Sequence, residues 1–233
     1  MPPALLFDMD GTLIDDSMDV FLPPYFAAIT KKLAGLVPPD KLIAQLTAST
    51  RVMMSNDDPA CTNAEAFAAD FFPKIGMARE ALMPLIDEFY AGEYGELRAF
   101  VKPVAAARRV VGRAFDLGRT VVVATAPLFP RSALLQRLEW GGLREFPFAL
   151  ITDYETMHAS KPNPAYYLEI AARIGREPAD CVMIGNEAPM DILPAHRAGM
   201  LTFWVTARPD PSVPADWSGT LDDAGRLIEN GVF

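Results

Sequence analysis

Six polar residues in this chain have types and spacings that suit one reaction. Asp8 and Asp10 stand two apart in "FDMDGT", after an apolar run and before a glycine. Carboxyls placed in this way can divide labour: one attacks as a nucleophile, while its neighbour gives and takes a proton. Their oxygens, with a backbone carbonyl from the turn, also make the hard donor set that Mg²⁺ accepts. An EF-hand loop opens on a similar pair, but it needs a third ligand before its glycine and a helix in front. Here Gly11 follows Asp10 directly and the preceding run reads as a strand. Thr125 ends "TVVVAT", Lys161 sits in "SKPNP", and Asn186 and Asp191 follow "CVMIG". A nucleophilic carboxylate, a hydroxyl, an ammonium and a bound cation can together hold a phosphoryl group and spread its charge during in-line transfer.

The chain supplies elements that could gather these groups. Short apolar runs at 4–9, 120–126, 148–152, 181–185 and 201–206 read as buried strands. Helical patterns at 102–118, 131–142, 164–175, 191–199 and 221–231 separate or follow them, and several end in glycine. Apolar strands alternating with helices predict a doubly wound parallel sheet, an α/β fold. Ligands bind such sheets beyond the carboxyl ends of the strands, where all six residues fall. Residues 17–98 differ: four segments carry apolar residues at helical spacing and none alternates. Pro24 is expected in the first turn of one helix, and Thr62 with Glu65 is expected to form a capping box on another. This block interrupts the α/β pattern after its first strand. The expected organisation is therefore an α/β core of 1–16 and 99–233 with an all-helical insert at 17–98. The Pro-rich stretch 207–219 reads as a surface loop.

Composition narrows the function. In 233 residues, 30 acidic side chains outnumber 21 basic ones, for a formal net charge of -9. That balance disfavours nucleic acid and anionic membrane as partners. Two cysteines, Cys61 and Cys181, make no disulfide framework. The N-terminus lacks the pattern of a signal peptide and no apolar run approaches a membrane span, so a cytoplasmic location is expected. His158 and His196 read as positioning or structural residues. Arg51 and Asn56 read as a solvated helix end in the insert, with reach over the site to a substrate's leaving group as the alternative, and Met53 and Met54 as core packing.

The motifs resemble those of the haloacid dehalogenase (HAD) superfamily. "FDMDGTLID" resembles its first motif, "VVVATA" the second, "SKPNP" the third and "MIGNEAPMD" the fourth, in order along the chain. The insert resembles the α-helical cap of the phosphoglycolate phosphatase-like branch. The resemblance implies a Rossmann-like core and a Mg²⁺-dependent phosphatase acting on a small phosphorylated metabolite, as a monomer or homodimer. It implies that Asp8 is the nucleophile, forming an aspartyl-phosphate, and that Asp10 is the general acid/base with its carbonyl toward the metal. Thr125 and Lys161 would hold the phosphate, and Asn186 and Asp191 would complete the metal site, directly or through water. Two positions depart from the pattern: Ala126 stands where Asn usually follows Thr, and Asn186 stands where Asp usually opens the fourth motif. A phosphomutase with the same site and a non-catalytic phosphate-binding or regulatory protein are the alternatives. A carboxylate at position 10 argues against the dehalogenase members.

Overall fold

The computed structural model describes residues 1–15 and 17–233. Its main sheet contains β1 (Ala4–Phe7), β4 (Val121–Val123), β5 (Leu150–Ile151), β6 (Cys181–Gly185), β7 (Leu201–Val205) and β8 (Trp217–Gly219). Their order is β5-β4-β1-β6-β7-β8, and every pairing is parallel. Counted along the chain this is the doubly wound order, which reverses between β1 and β6. The two-residue period of β1 explains why both faces are apolar. Leu5 and Phe7 pack into one cluster with Val110 and Val111 of α5 (Ala107–Asp116) and Ile228 of α9 (Leu221–Glu229). Ala4 and Leu6 pack into another with Tyr166, Tyr167 and Ile170 of α7 (Pro164–Arg173).

Between β1 and β4 lie α1 (Met18–Lys32), α2 (Pro39–Met54), α3 (Asn63–Ile75) and α4 (Arg79–Ala91), forming the helical cap. The expected capping box is present: Thr62 accepts from Glu65 N, and Glu65 accepts from Thr62 N. The boundary expected between 16 and 17 rests partly on residue 16, which lies outside the described residues.

Several local expectations are corrected. Pro24 is not in a first turn, because α1 begins at Met18 and runs through Pro23 and Pro24. The helix expected from 102 begins at Ala107. Before it, β3 (Lys102–Pro103) pairs antiparallel with β2 (Ile14–Asp15), joining the two chain crossings between cap and core. The loop expected at 207–219 ends in β8, an edge strand too short to show alternation. β2, β3 and β8 are each too short to show the apolar alternation that reveals a strand.

The cap does not have a separate core. Phe129 follows β4, and its ring lies 6.1 Å from Phe21 and 5.5 Å from Tyr25, both on α1. Trp140 of α6 (Arg131–Trp140) stacks 5.5 Å from Tyr94. One buried cluster runs from Phe7 and Val123 in the sheet to Leu42, Phe71 and Leu82 in the cap. Backbone bonds add to this: Asn63 N donates to Met157 O at 2.8 Å and Ala64 N to Tyr154 O at 2.8 Å. No described helix is long and apolar enough to cross a membrane.

Candidate active site

The site lies where the strand order reverses. β1 delivers Asp8 and Asp10, and β4 and β6 on either side deliver Thr125 and Asn186. After Asp10 the chain folds back on itself: Leu13 N and Ile14 N both donate to Met9 O, and Gly11 N donates to Ile14 O. Gly11 makes this possible with a φ of 79°, and a Cβ there would overlap the Asn186 amide. Gly185 is required for another reason: a Cβ there would overlap the Asp191 carboxylate.

Lys161 is the hub. It is 1% exposed, and its Nζ donates to Asp8 Oδ1 at 2.7 Å and to Asp191 Oδ1 at 2.6 Å. Asp191 is held from its other side as well, since Oδ2 accepts from Glu187 N at 2.9 Å. Asp191 lies in a single π turn, Ala188–Ile192, a form that recurs at functional sites. Burial, then repulsion from Asp191, pushes the Asp8 carboxyl well above its ordinary range, against the pull of Lys161. Burial would favour the neutral amine of Lys161, but Asp191 and Asp8 together outweigh it and push the group upward. Glu187 is also pushed up, by burial and by Asp191. The centre thus holds more carboxylate than its one lysine balances.

Asp10 is fixed by a residue that motif reading missed. Arg137 of α6 is fully buried, and its Nη2 donates to Asp10 Oδ1. Thr125 Oγ1 approaches the other oxygen, Oδ2, at 3.3 Å. The Arg137 guanidinium lies 4.6 Å from the Phe21 ring and 5.8 Å from that of Phe129. One side chain therefore touches the carboxylate, the cap and the loop after β4. Arg137 sits on α6, a helix whose sequence shows no clear apolar face. The only hint in the sequence is a basic residue on the face that carries Ala133, Leu134 and Leu138.

The Thr125 backbone is held from behind. Its carbonyl accepts from Tyr166 Oη at 2.7 Å and Thr152 Oγ1 at 2.7 Å. His158 pairs with Glu169 at 2.9 Å. Asn56 does not reach over the site: its Nδ2 donates to His158 O at 3.0 Å and Cys61 O at 2.8 Å, tying the cap to the loop before Lys161.

The Asn186 amide lies 3.1 Å from Thr12 Oγ1. In the orientation that satisfies both of its ends, its nitrogen donates to Asp10 O at 3.0 Å and to Asp8 Oδ2 at 3.3 Å. No cluster of three or more His, Cys, Asp or Glu side chains is arranged to hold a metal among the described residues. The converging set is mixed: one carboxylate oxygen and one backbone carbonyl within reach of a single amide. These are hard oxygens of the kind Mg²⁺ takes, and the excess negative charge favours a cation. The residues present therefore fit the ion.

A profile of the haloacid dehalogenase-like hydrolases matches residues 2–199, a span containing all six motif residues. The chain belongs to that family. A phosphoglycolate phosphatase of Xanthomonas campestris pv. campestris (strain 8004) is 29% identical to this hydrolase over 222 residues, covering 95% of this chain and 86% of the relative. The fold matches a HAD phosphatase from Thermococcus onnurineus with a TM-score of 0.60 at 19% identity, covering 98% of each chain. It also matches the L-2-haloacid dehalogenase of Xanthobacter autotrophicus, TM-score 0.58 at 16% identity, covering 98% of this chain and 99% of that one. The fold therefore carries both chemistries, and the side chains must decide between them.

Proposed function

We propose that this hydrolase is a Mg²⁺-dependent phosphatase of small phosphomonoesters that works through an aspartyl-phosphate. The observation that carries the reading is Asp10: a carboxylate held by Arg137 and Thr125, two residues beyond Asp8 at the same strand end. The similarity to phosphoglycolate phosphatases supports it.

In this reading the Asp8 carboxylate attacks phosphorus while Lys161 steadies it. Asp10 gives a proton to the departing alkoxide. The carboxylate left behind then takes a proton from the water that splits the aspartyl-phosphate. Thr125 Oγ1 and Lys161 Nζ hold the phosphoryl oxygens. Asp8, the Asp10 carbonyl and, with its amide turned so that the oxygen faces them, Asn186 would hold Mg²⁺, which when bound supplies positive charge against the phosphoryl oxygens. Asp191, with both oxygens engaged by Lys161 and Glu187 N, sets the position of the lysine and stands next to the metal site. A screen of phosphorylated metabolites with Mg²⁺, read as inorganic phosphate, tests the proposal. No release from any ester by folded, Mg²⁺-loaded protein would refute it.

Three variants probe the roles. Asp10→Asn should lower kcat by about 10²–10⁴-fold, the usual loss of a general acid/base, while calorimetric Mg²⁺ affinity stays near wild type. Normal turnover with weakened Mg²⁺ binding would reverse that assignment. Arg137→Lys keeps the charge but loses the planar fork that holds Asp10 from inside the core. It should lower kcat and leave KM almost unchanged, and a change confined to KM would place Arg137 on the substrate side. Asn186→Asp replaces a donor to Asp8 and Asp10 with a third carboxylate. Without metal the variant should melt below wild type, and Mg²⁺ should raise its melting temperature more than that of wild type. Equal Mg²⁺-induced shifts would show that Asn186 does not face the ion.

A further inference from the structure

A cavity of about 250 Å³ lies between the cap and the loop after β4. Phe26, Leu46, Phe67 and Met83 line it from the cap, and Phe129 and Tyr154 from the core. The walls are mainly apolar and aromatic. The exceptions on the solvent side include Arg51 and Arg79, both exposed, which bring positive charge to the rim of a chain whose net charge is -9.

The cavity begins close to the chemistry. Phe129 is both a wall residue and a neighbour of Arg137, whose guanidinium lies 5.8 Å from its ring and holds Asp10. One side chain thus links the wall to the proton donor. Leu128, three residues beyond Thr125, also lines the cavity. The cavity's lining suits carbon, and a carboxylate placed among Leu46, Phe67 and Met83 would lose its hydration, because the cationic lining residues, Arg51 and Arg79, are exposed. Size points the same way. A dry cavity of about 150 Å³ takes up benzene, so the volume here suits an apolar group of about ten carbons.

We propose that this cavity receives the alcohol half of the substrate, and that this half is a fused-ring or similarly bulky apolar group and not a small polar acid. The proposal rests on the phosphatase reading and gives it a substrate class. The relatives' names point to a two-carbon acid, which would leave most of this space unfilled.

The test compares 1-naphthyl phosphate with 2-phosphoglycolate, and separately follows calorimetric binding of 1-naphthol, which has no phosphate. Wild type should hydrolyse 1-naphthyl phosphate with a kcat/KM at least about tenfold above that for 2-phosphoglycolate. Ala68 lines the cavity, so Ala68→Trp should fill it. That variant should reduce the ratio about tenfold or more and abolish 1-naphthol binding. If the added bulk unfolds the cap, Met83→Ala, which removes wall instead, should still weaken 1-naphthol binding severalfold. A wild type that prefers 2-phosphoglycolate, or that fails to bind 1-naphthol, would overturn the proposal and make the cavity a packing void. So would an unchanged ratio in folded Ala68→Trp. Binding of 1-naphthol with no phosphate released from any ester would instead overturn the phosphatase reading and leave the apolar site standing.

Discussion

Asp8→Asn should release no measurable phosphate, a loss in kcat on the order of 10⁴-fold or more, while the protein stays folded. The amide has nearly the shape of the carboxylate and its oxygen can still accept from Lys161, which sits 2.7 Å from Oδ1. It has no negative oxygen with which to attack phosphorus. The substitution also removes the charge that Asp191 and Asp10 repel, so metal-free stability should equal or exceed wild type. Thermal unfolding and a phosphate-release assay on the same preparation check both halves. A folded variant with wild-type turnover would remove Asp8 from the role of nucleophile. A variant that does not fold would show that its charge is needed structurally, against the electrostatics above.

Lys161→Met should be the most damaging substitution for stability, costing about 3–5 kcal/mol without metal, because it leaves Asp8 and Asp191 facing each other buried and unbalanced. Turnover should fall with it, since the same ammonium holds the phosphoryl group. The pH dependence has a definite sign. A carboxyl whose folded pKa is raised, as for Asp8, retains a proton that the unfolded chain would release. It favours the fold fully below the ordinary carboxylate range and loses that contribution as pH rises through its folded value. The penalty of Lys161→Met should therefore shrink in acid. Adding Asp191→Asn should recover part of the stability at neutral pH, because one of the two stranded charges is gone. Urea unfolding of the single and double variants measures this. A single variant as stable as wild type would mean the three groups do not form one electrostatic unit.

The parts of this molecule legible in the sequence are those that repeat a period or a motif. β6 appears with the bounds its apolar run predicts, because Cys181–Gly185 is buried on both faces and flanked by turns. The motif residues lie beyond the strand ends around one reversal point: Asp8 follows β1 and Asn186 follows β6 directly, while Lys161 stands ten residues past β5. Arg137 was not legible. Its role depends on α6 packing beneath the turn that carries Asp10, a contact between residues 127 positions apart. The commitment of Asp191 to Lys161 was hidden too: spacing brings Asp191 near the loop, but only the fold shows what its two oxygens touch. β2 and β3 were invisible because two residues are too few to show a period.

That small pairing has a consequence for how such proteins can exchange parts by recombination. Asp15 opposite Lys102 and Ile14 opposite Pro103 bring the incoming and outgoing chains together at one place. Crossovers at these two points would lift out everything between them as a cassette with matched ends, leaving Asp8, Thr125, Lys161 and Asn186 in the recipient. The graft would carry a condition. The donor's residues at positions 21, 25 and 94 would have to fit the recipient's Phe129, Arg137 and Trp140, which stay behind. Lineages that traded caps through this junction should therefore be ones whose α6 and the loop before it already match.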